Sequence, residues 1–159
     1  MNELQLVQLG NGSVMAVMRN DAGSHRQAVA ISSDGGETFG PIRMHPDLIT
    51  PVCQMSVLYI RKSTILYAGP RSTTERVNMT VLASDDDGVS FTRSLQVLPG
   101  TSYAGYSSMQ FLGGKVGGVP GMFDGEVMLL FERGGQGVHY DGGNTSVVRF
   151  NEADIKSYK

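Results

Sequence analysis

Short apolar runs separated by turn residues dominate the chain. Apolar and polar positions alternate with the two-residue period of a half-buried strand at 4–9, 13–18 and 27–32. The alternation returns at 54–60, 64–68, 77–83 and 94–98, and again at 107–112, 126–131 and 146–150. Gly10-Asn11-Gly12 separates the first two runs, where a tight turn needs backbone conformations that glycine adopts freely. The pattern predicts an all-β chain with one helix, over 152–158, for which Asn151 is the N-cap. No linker and no second domain interrupt it.

One segment occurs twice. Ser32-Ser33-Asp34-Gly35-Gly36-Glu37-Thr38-Phe39 and Ser84-Asp85-Asp86-Asp87-Gly88-Val89-Ser90-Phe91 share the pattern Ser-x-Asp-x-Gly-x-Thr/Ser-Phe, 52 residues apart. Each follows the third run of its set and precedes a fourth strand. A period near 50 with four strands per unit is the signature of propeller blades. In this reading the Asp carboxylate accepts backbone N–H groups and fixes a turn, the glycine supplies the unusual backbone angle, and the aromatic residue packs back onto the blade. Ser32, Asp34, Gly36 and Phe39, with Ser84, Asp86, Gly88 and Phe91, are therefore structural candidates. Asp85-Asp86-Asp87-Gly88 lacks the remaining ligand positions of a calcium loop.

Composition narrows the partners. Hydrophobic residues make up 40% of the 159 and charged residues 18%, enough to bury a core. The net charge is −2 with basic residues scattered, which argues against a nucleic-acid or anionic-membrane surface. No apolar run approaches the roughly 20 residues of a membrane span. Met1-Asn2-Glu3 leads directly into a strand pattern without the pattern of a signal peptide. The single cysteine, Cys53, lies in an apolar setting and reads as a buried, inert thiol. His25, His45 and His139 lack metal-ligand spacing, and no glycine-rich strand-to-helix turn cradles a phosphate, so no metal and no cofactor are expected.

Taken singly, the candidate chemical residues are unremarkable. Tyr106 reads as amphipathic packing, Arg19 and Arg76 as surface charges, and Glu3 as a solvated carboxylate. Their order and local motifs change that. Asn2-Glu3-Leu4 is followed sixteen residues later by Arg19; Thr74-Glu75-Arg76-Val77 precedes the second Asp-turn; Ala104-Gly105-Tyr106-Ser107-Ser108 follows it; and Leu130-Phe131-Glu132 closes a later strand. With the strand-opening segment Pro51-Val52-Cys53-Gln54, these stretches resemble the sialidase (neuraminidase) family, whose Asp-box repeats match the duplicated turn, over nearly the whole chain.

The resemblance implies a partial six-bladed β-propeller of about three four-stranded antiparallel blades, with 1–159 forming the C-terminal half of the propeller domain. It makes Tyr106 the nucleophile, Glu3 its partner, Arg19 and Arg76 two of three arginines that hold the sialic acid carboxylate, and Glu132 the residue that orients the first of the three. The implied partners are sialylated glycans, glycoproteins or glycolipids; family members in secreted, periplasmic or lysosomal locations would all fit.

Departures exist. The segment 113–125 is longer than the family's turn, no Arg-Ile-Pro segment supplies the first arginine, and the acid/base aspartate has no counterpart. The isolated chain is therefore expected to be inactive by itself. Two other readings stand beside an exo-α-sialidase: a glycan-binding propeller without catalysis, which would need no nucleophile, and a trans-sialidase, which would use the same residues.

Overall fold

Strands β1 (Leu4–Gln8), β2 (Val14–Met18), β3 (Arg26–Ser32) and β4 (Arg43–Ile49) form a four-stranded antiparallel sheet in chain order. The β1–β2 turn is closed by Leu9 and Ser13, with Gly12 at φ +90°, and Asn11 accepts the Ser13 N–H at 2.9 Å. Because side chains alternate across a strand, the register Leu6–Ala16–Ala30 places one row on one face. Met15, Val17 and Val29 fall on the other, packing against the next blade with Val7, Tyr67 and Leu82. The computed structural model describes residues 3–113, 125–134 and 143–158. Most of the long segment expected over 113–125, and His139, lie outside them.

A second sheet takes β5 (Ser56–Arg61), β6 (Thr64–Pro70), β7 (Val77–Ser84), β8 (Arg93–Phe111), β9 (Val127–Arg133) and β10 (Asn144–Phe150) in the order β10-β9-β8-β7-β6-β5. The runs at 94–98 and 107–112, expected as separate strands, are one strand of 19 residues. Its first part pairs with β7, from Ala83↔Arg93 to Val77↔Tyr103. Its second part pairs with β9, from Ser107↔Phe131 to Phe111↔Val127. The outer strand of the second blade thus continues directly as the inner strand of the third. Gly100, at φ +74°, lies where the register against β7 shifts between Leu98 and Tyr103, before the change of partner at Ala104. The result is an arc of three blades of a partial β-propeller, with apolar layers between blades one and two and between blades two and three.

The fourth strand of the first blade had no clear pattern because it carries His45-Pro46-Asp47 and bulges: Ala28 opposes Met44 while Arg26 opposes Ile49. Proline is tolerated there because an edge strand leaves one row of N–H groups unpaired. The bulge has a packing role. His45 Nε2 lies 3.0 Å from the Gly88 carbonyl, and Asp47 accepts the Phe91 N–H at 3.0 Å. The His45 ring meets Phe91 edge-on at 5.3 Å. The first blade therefore grips the turn of the second.

The two Asp-turns have nearly the same hydrogen bonds. Ser32 donates to Asp34 and Ser84 to Asp86, each at 2.7 Å, and the two serines accept the Gly36 and Gly88 N–H at 2.8 Å. Asp34 accepts the Thr38 N–H at 3.0 Å, and Asp86 the Ser90 N–H at 2.9 Å. Hydrogen bonds from Ser32 and Thr38 hold the Asp34 carboxyl well below its ordinary range. At Asp86 partial burial works against ionisation, and the bonds from Ser90 and Ser84 outweigh it. The aromatic ends of the turns differ. Phe91 is buried under His45 and Tyr67, whereas Phe39 is 40% exposed, contrary to the expected packing. What covers Phe91 is the preceding blade, and no described residue plays that part for Phe39. Leu4, Leu6, Ile42 and Met44 are exposed on the same blade.

The tail is not the helix expected over 152–158. Asn151 caps a single 3-10 turn, Glu152–Asp154, accepting the Ala153 N–H at 2.8 Å. The chain then forms β11 (Lys156–Ser157), paired with the start of β8. Seven residues are too few to sustain a helix alone, and the edge of β8 offers backbone partners. Ile155 enters the core, and buried Glu152 pairs with Arg93 at 3.0 Å and Arg61 at 3.3 Å. Cys53 is fully buried, and burial pushes its thiol up to about 12.

The two turns should differ in stability. Gly88 is buried, so Ser84→Ala leaves its N–H without a partner and costs about 1–3 kcal/mol in urea unfolding followed by circular dichroism. Gly36 is exposed and water can replace the lost hydroxyl, so Ser32→Ala costs less.

Candidate active site

Glu3 and Arg19 flank the first hairpin. Glu3 precedes β1 and Arg19 follows β2; the Arg19 N–H donates to the Glu3 carbonyl at 2.9 Å, so the two side chains leave the sheet side by side. Arg76 precedes β7, and its carbonyl accepts the Ala104 N–H at 2.7 Å. Tyr106 lies in β8, where the register against β9 shifts between Ala104 and Ser107. Such an irregularity frees a residue from the ladder and re-aims its side chain. The Tyr106 N–H, without a ladder partner, donates to Glu132 Oε2 at 3.2 Å.

These segments bring four side chains to one point. The Tyr106 hydroxyl donates to Glu3 Oε1. Arg19 Nη1 donates to Glu3 Oε2 at 2.7 Å and to the Tyr106 hydroxyl oxygen at 3.1 Å. The Arg76 guanidinium stands 5.4 Å from the centre of the Tyr106 ring, within cation–π range. Arg76 also donates to the Val52 carbonyl at 3.0 Å and to the Tyr103 hydroxyl at 3.4 Å. Glu132 reaches Tyr106 through its backbone and meets the Tyr103 hydroxyl at 3.2 Å.

The electrostatics place the shared proton. Glu3 is partly desolvated, which favours its neutral form, but the bonds from Tyr106 and Arg19 outweigh this and hold its carboxyl below the ordinary glutamate value. The Tyr106 phenol is pushed up, first by its bond to the Glu3 carboxylate and then by burial, against the pull of Arg19 and Arg76. At rest the proton therefore sits on the phenol and the charge on the carboxylate. The pair is a neutral phenol hydrogen-bonded to an ionised carboxylate, between two permanent cations.

Three supporting residues were not singled out from sequence. Gln54 accepts the Ser107 N–H at 2.8 Å and donates to the Ser107 carbonyl at 3.0 Å, replacing a strand partner beside Tyr106. Tyr103 is buried between Arg76 and Glu132. Gly105 leaves the space that Tyr103 and Glu132 occupy: a Cβ there would stand 2.4 Å from Glu132 Oε2 and 2.5 Å from the Tyr103 hydroxyl. A glycine beside a tyrosine was a visible signal for the last; an amide that bonds backbone 53 residues away leaves none. A cavity of about 330 Å³ adjoins Tyr106, lined by Gln54, Ser108, Leu130, Glu132 and Thr145. Among the described residues, no group of three His, Cys, Asp or Glu side chains is placed to hold a metal ion.

Known proteins share this arrangement of strands and turns. The family model for the BNR repeat-like domain matches residues 1–118. A sialidase from Micromonospora viridifaciens is 30% identical over 149 residues, which are 88% of this chain and 21% of that protein. Among solved structures, the Hadza microbial sialidase Hz136 is 26% identical with a TM-score of 0.71, over 96% of this chain and 28% of that one. The intramolecular trans-sialidase from Ruminococcus gnavus has the same fold at 22% identity and a TM-score of 0.73, over 98% of this chain and 34% of its own. The chain thus spans between a fifth and a third of the length of these relatives. Since the repeat model covers most of the chain and the blades superpose on sialidases, this chain belongs to the sialidase family with BNR-type repeats.

Proposed function

We propose that this chain forms the C-terminal half of an exo-α-sialidase propeller and contributes the nucleophile, its base and two carboxylate-binding arginines. The carrying observation is the Tyr106 hydroxyl, held between the Glu3 carboxylate and the Arg19 guanidinium. The substrate is a terminal sialic acid on a glycan.

The chemistry follows from the sugar. Sialic acid carries a carboxylate on its anomeric carbon, so an anionic nucleophile would be repelled there, and a neutral phenol is not. Arg19 and Arg76 take the carboxylate by charge-assisted hydrogen bonds of about 1.5–3 kcal/mol each. Binding an anion to these two cations weakens the fields that depress Glu3, and its affinity for a proton rises. Glu3 then takes the phenolic proton while the Tyr106 oxygen bonds to the anomeric carbon and the glycosidic bond breaks. An acid outside this chain protonates the leaving oxygen. Water, activated in reverse, attacks the sialyl-tyrosine, the phenol regains its proton from Glu3, and configuration is retained. A lectin would not need the Tyr106–Glu3 pair. Transfer to a second glycan would use the same first step, and product analysis distinguishes it from hydrolysis.

In the protein that carries the complete propeller, Tyr106→Phe should abolish retaining turnover of an aryl sialoside, and Glu3→Gln should lower kcat by about 10²–10⁴-fold. Wild-type rates in Tyr106→Phe would refute the nucleophile.

Glu3 must be ionised to act as the base, so activity should fall only when pH drops below the ordinary glutamate range, through its depressed value. Removing the Arg19 bond by Arg19→Ala should move that acid limb upward in the kcat/KM profile, together with weaker binding. An unmoved limb would exclude Glu3 as the titrating base.

A further inference from the structure

An arginine that binds a carboxylate must present its planar fork in one orientation, yet its side chain turns about several bonds. Ordering such a chain costs conformational entropy unless the protein has already fixed it. Arg19 is fixed by Glu3 and Asp21, at 2.7 and 3.2 Å. Among the described residues no carboxylate bonds Arg76 directly in this way; its hydrogen bonds go to the Val52 carbonyl and the Tyr103 hydroxyl, and its guanidinium faces the Tyr106 ring.

The Tyr103 contact is directional. A phenol has one proton, and here it points to Glu132 Oε2 at 3.2 Å, leaving the oxygen lone pairs to accept from Arg76 Nη1 at 3.4 Å. Arg76 therefore donates to a hydroxyl that itself donates to a carboxylate, and each bond polarises the next. The same Glu132 oxygen accepts the Tyr106 N–H. One carboxylate thus reaches both the backbone of Tyr106 and, through Tyr103, the arginine facing its ring. Gly105 completes the arrangement, because a methyl group at that position would collide with both partners.

We propose that Tyr103 is a positioning residue that relays the hold of Glu132 to Arg76, with Gly105 providing the clearance. The inference rests on the reading that Arg76 binds the sialic acid carboxylate, and it gives Glu132 a task on this arginine, apart from any on an arginine outside the chain.

Two measurements on the full 159-residue chain separate the relay from that reading. In ¹⁵N-labelled protein at neutral pH, the Arg76 Nε–H signal, assigned by its loss in Arg76→Lys, should show restricted motion. Tyr103→Phe should mobilise it and leave the Arg19 signal unchanged. Gly105→Ala, which removes no hydrogen-bonding group, should do the same. Circular dichroism melting would confirm that each variant is folded. An Arg76 signal equally ordered in wild type and in folded Tyr103→Phe would overturn the relay. In parallel, N-acetylneuraminic acid should bind about 2- to 10-fold more weakly to Tyr103→Phe than to wild type. Failure of the wild-type chain to bind this acid at millimolar concentration would count against the carboxylate-binding reading, while the Arg76 signal still decides the relay.

Discussion

A phenol hydroxyl has one proton to share, and the site depends on where that proton is shared. Tyr106 comes from β8, while Glu3 and Arg19 come from either end of the first hairpin, 103 and 87 residues away in sequence. The contact exists only if the blades hold a fixed angle to each other. The same interaction sets the electrostatics: the carboxylate is kept ionised by the phenol and the guanidinium, and the phenol is kept neutral by the carboxylate. Each group would hold that state alone near neutral pH; the contact widens the pH range over which both do.

That blade angle is held by contacts far from the chemistry. His45 and Asp47, on the bulged strand β4, clasp the turn that carries Phe91, and the Gly10 N–H donates to Asp87 Oδ1 at 2.7 Å. Gln27 donates to the Tyr67 hydroxyl at 3.2 Å and to the Cys53 carbonyl at 3.3 Å across the same junction. These are polar contacts bordering an apolar layer. The layer supplies most of the adhesion, at roughly 25 cal/mol per Å² buried, and the polar contacts fix its register.

The sequence disclosed the strands because their alternation is strict, and the repeat because a turn built on Ser and Asp side-chain bonds to the backbone and a glycine at positive φ allows few residue types. Glu3, Arg19, Arg76 and Tyr106 could be marked through a family resemblance, each at a strand end or irregularity where a side chain leaves the ladder. Less could be read where tertiary contacts decide. The runs in β8 looked like two strands because Pro99-Gly100 interrupts the alternation, yet the backbone continues to a new partner. The tail had a helix cap, and the free edge of β8 drew it into a ladder after one turn. Phe39 and Phe91 occupy equivalent positions in their turns but not equivalent surroundings, and local sequence cannot register a neighbour. Tyr103 and Gln54 escaped notice for the same reason.

The unbroken course of β8 has a mechanical consequence. Blades two and three share one backbone and one hydrogen-bonded network, so they cannot separate without tearing a ladder. Among the described residues, blade one is joined to them by the connection through 50–55, by packed side chains and by scattered polar bonds, with no shared ladder. In the language of partial unfolding, the chain comprises one large cooperative unit and one small one. The small unit carries Glu3 and Arg19, the large one Tyr106 and Arg76, so the first fluctuation to open this molecule dismantles the proton-sharing pair while leaving most of the protein folded.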